Sequence, residues 1–65
     1  MRLLEVRMLL CQARIICLKR GYLSPNEGKL ASEVWFARVA VNHPIQIINV
    51  LSEACHKVQS DISSH

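Results

Sequence analysis

The apolar positions at the start of the chain fall into two interleaved series of 3-4 spacing. Leu3, Val6, Leu10, Ala13 and Cys17 form one series; Leu4, Met8, Cys11, Ile15 and Leu18 form the other. Residues three and four apart share a helix face, so the spacing predicts an α-helix over 2–20 with two adjacent apolar seams. Leu9 and Ile16 widen the apolar surface further. Polar positions shrink to two lines, Arg7 with Arg14 and Glu5 with Gln12 and Lys19. A surface helix ordinarily shows one apolar stripe, so this helix needs cover on two sides. Gly21 marks its end, because glycine enters the left-handed conformation at low cost. Lys19 and Arg20 suit the negative end of the helix dipole.

Ser24-Pro25-Asn26-Glu27 has the form of a capping box. Ser24 would cap, Pro25 would take the first helical position, and Glu27 would reach back to the Ser24 amide. A second helix is therefore expected from Pro25, with Leu30, Val34, Ala37 and Val41 as its stripe and Trp35, Phe36, Val39 and Ala40 off it. The β-branched and aromatic residues of 33–41 suit a strand, but strict alternation is missing. Pro44 either kinks this helix or ends it, since proline lacks a backbone donor and clashes with the preceding turn. A break is favoured, with Asn42 or His43 capping a third helix. The segment 45–60 is amphipathic: Ile47, Ile48, Leu51, Ala54, Cys55, Val58 and Ile62 line one face, and Gln46, Asn49, Glu53, His56, Lys57 and Ser60 the other. The tail Ser63-Ser64-His65 is expected to fray.

The expected architecture is all-α and a single domain over 1–65. It is a helical hairpin of two long helices, the second kinked or broken at Pro44. The last helix covers one seam of the first. The other seam is left for a partner, because an exposed apolar strip of that length marks a protein interface.

Composition agrees. The chain has 65 residues, 51% of them apolar and 20% charged, with a formal charge of +3. It is too apolar for a disordered tail, yet short enough that its own core is marginal. Chains of this size are usually completed by disulfides, a metal or a partner. Three cysteines, Cys11, Cys17 and Cys55, are an odd number, which points away from a disulfide framework and towards a reducing, cytoplasmic compartment. The charges at Glu5, Arg7 and Arg14 interrupt the first segment, so it suits neither a secretory leader nor a membrane span.

Candidate chemistry is sparse. Cys11, Cys17, Cys55, His43, His56 and His65 lack the short paired spacing of a structural zinc site. The cysteines read better as small buried hydrophobes on apolar stripes. A Cys55 nucleophile with His43 or His56 would need a cleft and an oxyanion site that so short a chain has little room for. No catalytic, metal or cofactor-binding residues are expected. Nucleic acid is a fairer competitor, because the cations cluster at the front. Arg7 and Arg14, however, sit between apolar seams rather than on a broad polar face. A membrane-surface helix would pair one apolar face with one charged face, whereas here the polar residues are split into two lines.

Short stretches resemble the small helical-hairpin co-chaperones of the type III secretion needle subunit. These are Ala13-Arg14 in the first helix, the turn Gly21-Tyr22-Leu23-Ser24-Pro25, and Ile47-Ile48-Asn49-Val50-Leu51 in the last helix. The resemblance covers about two thirds of the chain. It implies a bacterial cytosolic protein that pairs with a tetratricopeptide-like chaperone and holds the needle subunit monomeric before export.

The expected function is thus a non-enzymatic helical interaction module that binds another protein or itself. The alternative is a small basic helical protein that binds nucleic acid or regulates. The interface is placed on Leu3, Leu4, Leu10, Cys11, Ile15, Ile16 and Leu18, with Trp35 and Leu51 as further anchors.

Overall fold

The computed structural model describes residues 3–63, without the side chain of Leu3. Three helices are present among them: α1 (Leu3–Lys19), α2 (Ser32–Asn42) and α3 (Gln46–Ser63), with one 3-10 turn (Glu27–Lys29) between α1 and α2. The architecture is all-α and hairpin-like, as the periodicity predicts, with α1 packed along α3. The two run antiparallel. Val6 and Leu9 near the start of α1 face Val58 and Ile62 near the end of α3. At the opposite end Arg20 forms an ion pair with Glu53.

Gly21 stops α1 by the expected device. Its φ is +78°, and the carbonyls left open at the helix end are taken by turn amides. The Tyr22 amide donates to Cys17 O at 2.8 Å and the Gly21 amide to Leu18 O at 3.3 Å. That pair of bonds is a Schellman motif.

The capping box forms, but it opens one turn rather than a helix. The Ser24 amide donates to Glu27 Oε1 at 2.9 Å, and the Glu27 amide donates to Ser24 Oγ at 3.1 Å. The turn ends at Lys29, and Leu30 is extended, with ψ 163°. Gly28 explains the interruption. It is buried against Leu18 of α1, and its carbonyl accepts a hydrogen bond from Arg14 Nη1 at 3.3 Å. This anchors the chain to α1 before it turns, and α2 starts afresh after Ala31. The expected helix start at Pro25 is thereby corrected to Ser32.

The buried face of α2 is also not the one its spacing suggests. Trp35 and Val39 are buried, whereas Leu30, Val34, Ala37 and Val41 are exposed. Trp35 and Val39 lie one turn apart on the same face and present the larger side chain, so their burial removes more apolar surface from water.

Pro44 breaks the chain. The His43 amide closes α2 onto Val39 O at 2.7 Å, and His43 O accepts the Ile47 amide at 3.0 Å. Pro44 stands in the turn just ahead of α3, where no intrahelical bond requires its missing N–H. The His43 ring lies 4.7 Å from that of Tyr22, which ties this corner to the end of α1.

The core holds Ala13, Ile16 and Cys17 of α1, Leu23, Trp35 and Val39, and Ile47, Val50 and Ala54 of α3. It occupies the half of the molecule that α2 covers. α2 has 11 residues against 17 and 18 in α1 and α3, a length of about 16 Å beside about 26 Å at 1.5 Å per residue. Its first turn reaches only as far as Leu10. Beyond that point α1 and α3 continue side by side, with Val6 and Leu9 opposite Val58 and Ile62.

Candidate interaction surface

Beyond the first turn of α2, a groove of about 440 Å³ opens between α1 and α3. Glu5, Val6 and Leu9 line one side, and Cys55, Val58, Gln59, Ile62 and Ser63 the other. The groove continues into an exposed edge of α3, where Ile48, Cys55 and Ile62 recur every seven residues. Ile48 is 66% exposed. At the α2–α3 corner, Val41 and Ile45 are 78% and 73% exposed. Two β-branched residues flanking a proline break were the available sequence signal for this corner.

A second uncovered strip lies on the face of α1 turned away from α3. Leu4 is 69% exposed, Cys11 is exposed, and Met8 and Ile15 are half-buried. Arg7 and Arg14 flank the strip on one side, Glu5, Gln12 and Lys19 on the other. Its lower end is closed at Leu18, where Gly28 packs.

The residues expected at the interface divide accordingly. Leu4 and Cys11 are exposed and Ile15 is half-buried on the outer strip. Leu10, Leu18 and Leu51 are half-buried and pack against the core. Ile16 and Trp35 are corrected: both are in the core, 2% and 1% exposed, and neither is available to a partner. Ile16 and Cys17 are three and four residues from Ala13, so both share the face that Ala13 presents to the core. The side chain of Leu3 lies outside the described residues. Val50 is fully buried although it was not assigned to the apolar face of α3. Its spacing of three from Ile47 and four from Ala54 was the missed signal.

The cysteines are free thiols, but only Cys17 is buried. Cys11 and Cys55 are exposed, which corrects the expectation of three buried thiols. Burial pushes the Cys17 thiol up from its ordinary pKa, with the Arg20 charge acting the other way. The Glu27 carboxyl is held below its ordinary value. The Ser24 amide is the main cause, followed by the Ser24 hydroxyl, with Arg38 adding to them. Among the described residues no group of three or more histidine, cysteine, aspartate or glutamate side chains is placed to hold a metal ion. No helix among them is long and apolar enough to cross a membrane.

The chain matches no protein-family model, no curated protein and no solved structure.

Proposed function

We propose that this chain is a non-enzymatic helical interaction module, completed by a partner that covers apolar surface its own three helices leave open. The observation that carries the reading is the shortness of α2. It covers one half of the α1–α3 pair and leaves the groove beyond Leu10 open, with Ile48 and Ile62 exposed along α3. Apolar residues that line up along a helix edge, rather than lie scattered, favour association with another surface. Within this reading, a cytosolic co-chaperone of the type III secretion needle subunit is the finer proposal. It is supported by the resemblance in Gly21-Tyr22-Leu23-Ser24-Pro25 and in the isoleucine-rich start of α3.

The test is light scattering behind size exclusion over a concentration series, comparing the wild type with Ile48→Asp/Ile62→Asp. The wild type should rise above its 7.4 kDa monomer mass and bind an apolar dye. The double variant should stay monomeric with unchanged helicity, because both substituted positions are exposed. A wild type that remains a dye-free monomer throughout, indistinguishable from the variant, would sink the reading.

A further inference from the structure

Residues 24–31 carry a helix start that the fold does not use. The capping bonds between Ser24 and Glu27 are complete, and the Gly28 amide already makes a helical bond to Ser24 O at 2.9 Å. Yet the turn stops at Leu30, and α2 begins after Ala31, which makes no side-chain cap bond. The stronger start is left with one turn, while α2 starts on a residue type that caps poorly. Conflicts of this kind between local signal and fold are expected where function or strain sits.

The break itself is slight. Leu30 has φ −72° and ψ 163°, and Ala31 has φ −57° and ψ 150°. Both φ values are already helical, so two ψ rotations would join the turn to α2 as one helix over 25–42. Residues 26–42 contain no proline, and no positive φ occurs among them. Joining also gives partners to amides that a helix start leaves open. The Ser32 and Glu33 amides would donate to the Gly28 and Lys29 carbonyls.

The joined helix cannot serve its own chain. In the monomer the chain doubles back at Leu30 and Ala31. Gly28 lies on Leu18, Ser32 shares a notch with Leu10, and the His43 ring returns to Tyr22 at 4.7 Å between ring centres. A helix over 25–42 spans about 27 Å at 1.5 Å per residue, which carries His43 away from Tyr22. Trp35, Val39, Ile47, Val50 and Ala54 would leave the seat that Ala13, Ile16 and Cys17 provide.

We propose that two copies of this chain exchange α2 and α3 through a continuous helix over 25–42, forming a domain-swapped dimer. Only a second copy brings the same α2 and α3 to the vacated seat on α1. It restores the core contacts and the Tyr22–His43 pair, now between chains. Exchange of an identical element is a low-cost route to a dimer, because the two forms differ chiefly at the hinge. The proposal goes beyond the open groove and does not depend on it. Exchange requires α2 and α3 to leave the core, so the swapped dimer forms on refolding at high chain concentration and not during size exclusion of the native chain.

The experiment refolds the intact chain from urea at high and at low concentration, with reductant present so that the exposed Cys11 and Cys55 form no crosslink. Light scattering behind size exclusion should find a species of twice the 7.4 kDa monomer mass only at high concentration. It should persist on dilution, and its Trp35 emission should match that of the monomer. In a dimer of mixed isotope labelling, isotope-filtered NOEs should connect Tyr22 of one copy with His43 of the other. Ala31→Pro should lower the dimer yield by about tenfold or more, because proline is excluded from a helix interior and holds the residue before it extended. The monomer accepts proline there, since φ at Ala31 is −57° and Leu30 is already extended. Unchanged circular dichroism of the Ala31→Pro monomer is the folding control.

Absence of a dimer after refolding would overturn the proposal. So would a dimer whose Tyr22–His43 NOEs stay within one chain, or an Ala31→Pro dimer as abundant as that of the wild type. Ile48→Asp/Ile62→Asp separates the exchange from the groove, because both positions are exposed and the variant should still swap on refolding. Loss of the refolded dimer in that variant would assign it to the groove and overturn the exchange. If the native chain does not associate while the refolded dimer forms with NOEs between chains, the groove reading falls and the exchange stands.

Discussion

Gly28 lies so close to Leu18 that a β-carbon on it would meet Leu18 Cδ2 at 2.9 Å. This contact fastens the turn after Ser24 to α1 and ends the run of helix that the capping box begins. Gly28→Val should therefore overpack the site and cost about 1–3 kcal/mol. Urea unfolding followed by circular dichroism checks the value. Leu18→Ala removes the obstructing methyls, so Gly28→Val should cost clearly less in that background, a coupling that a double-mutant cycle reads directly.

Gly21 has the opposite character. Nothing lies within 4 Å of its would-be β-carbon, and its constraint is the φ of +78° alone. Gly21→Ala should destabilise by about 1–2 kcal/mol through backbone strain. Gly21→Asn should retain more of the stability, because asparagine tolerates the left-handed region. Equal midpoints for the two variants would mean that α1 ends in some other way.

Trp35 is the only tryptophan and is 1% exposed. Its emission should be blue-shifted in the native chain and move red on unfolding. Trp35→Ala should lose about 3–5 kcal/mol, enough to unfold a domain this small. Leu4→Asp should leave the thermal midpoint nearly unchanged. A stable Trp35→Ala protein that has lost only its association would return this residue to the interface.

The lowered Glu27 pKa sets a pH dependence. A depressed carboxylate contributes stability that is fully present above its ordinary value of 4.5 and is lost as pH falls towards the lowered value. The urea midpoint of the wild type should decline over that acid window, and more steeply than that of Glu27→Gln. A carboxyl titration by NMR should show Ser24→Ala moving the Glu27 pKa upward, because the Ser24 hydroxyl is lost.

Thiol chemistry separates the three cysteines. Cys11 and Cys55 are exposed, while burial keeps Cys17 in its unreactive protonated form. At neutral pH a thiol reagent should modify two groups quickly and the third only on the timescale of unfolding. Mass spectrometry of quenched samples identifies the slow site. Rapid modification of Cys17 would contradict its place in the core.

Features that depend on neighbours in the chain were legible from the residue string. Gly21 stops α1 because the left-handed turn it permits is a local conformational matter. Ser24 and Glu27 bond each other because they are three residues apart. Pro44 breaks the helix because it lacks an N–H wherever the chain goes next. The two seams of α1 likewise follow from spacing.

Which surface is covered was decided only by tertiary structure. Periodicity ranks Leu30, Val34, Ala37 and Val41 as a stripe, yet it cannot say which side of α2 will meet α1 and α3. The attachment of Gly28 to Leu18 re-phases the chain so that Trp35 and Val39 turn inward. Ile16, Cys17 and Val50 join them because α1 and α3 lie antiparallel at that depth. Burial is a property of what stands opposite a residue, and a sequence pattern reports only what stands beside it.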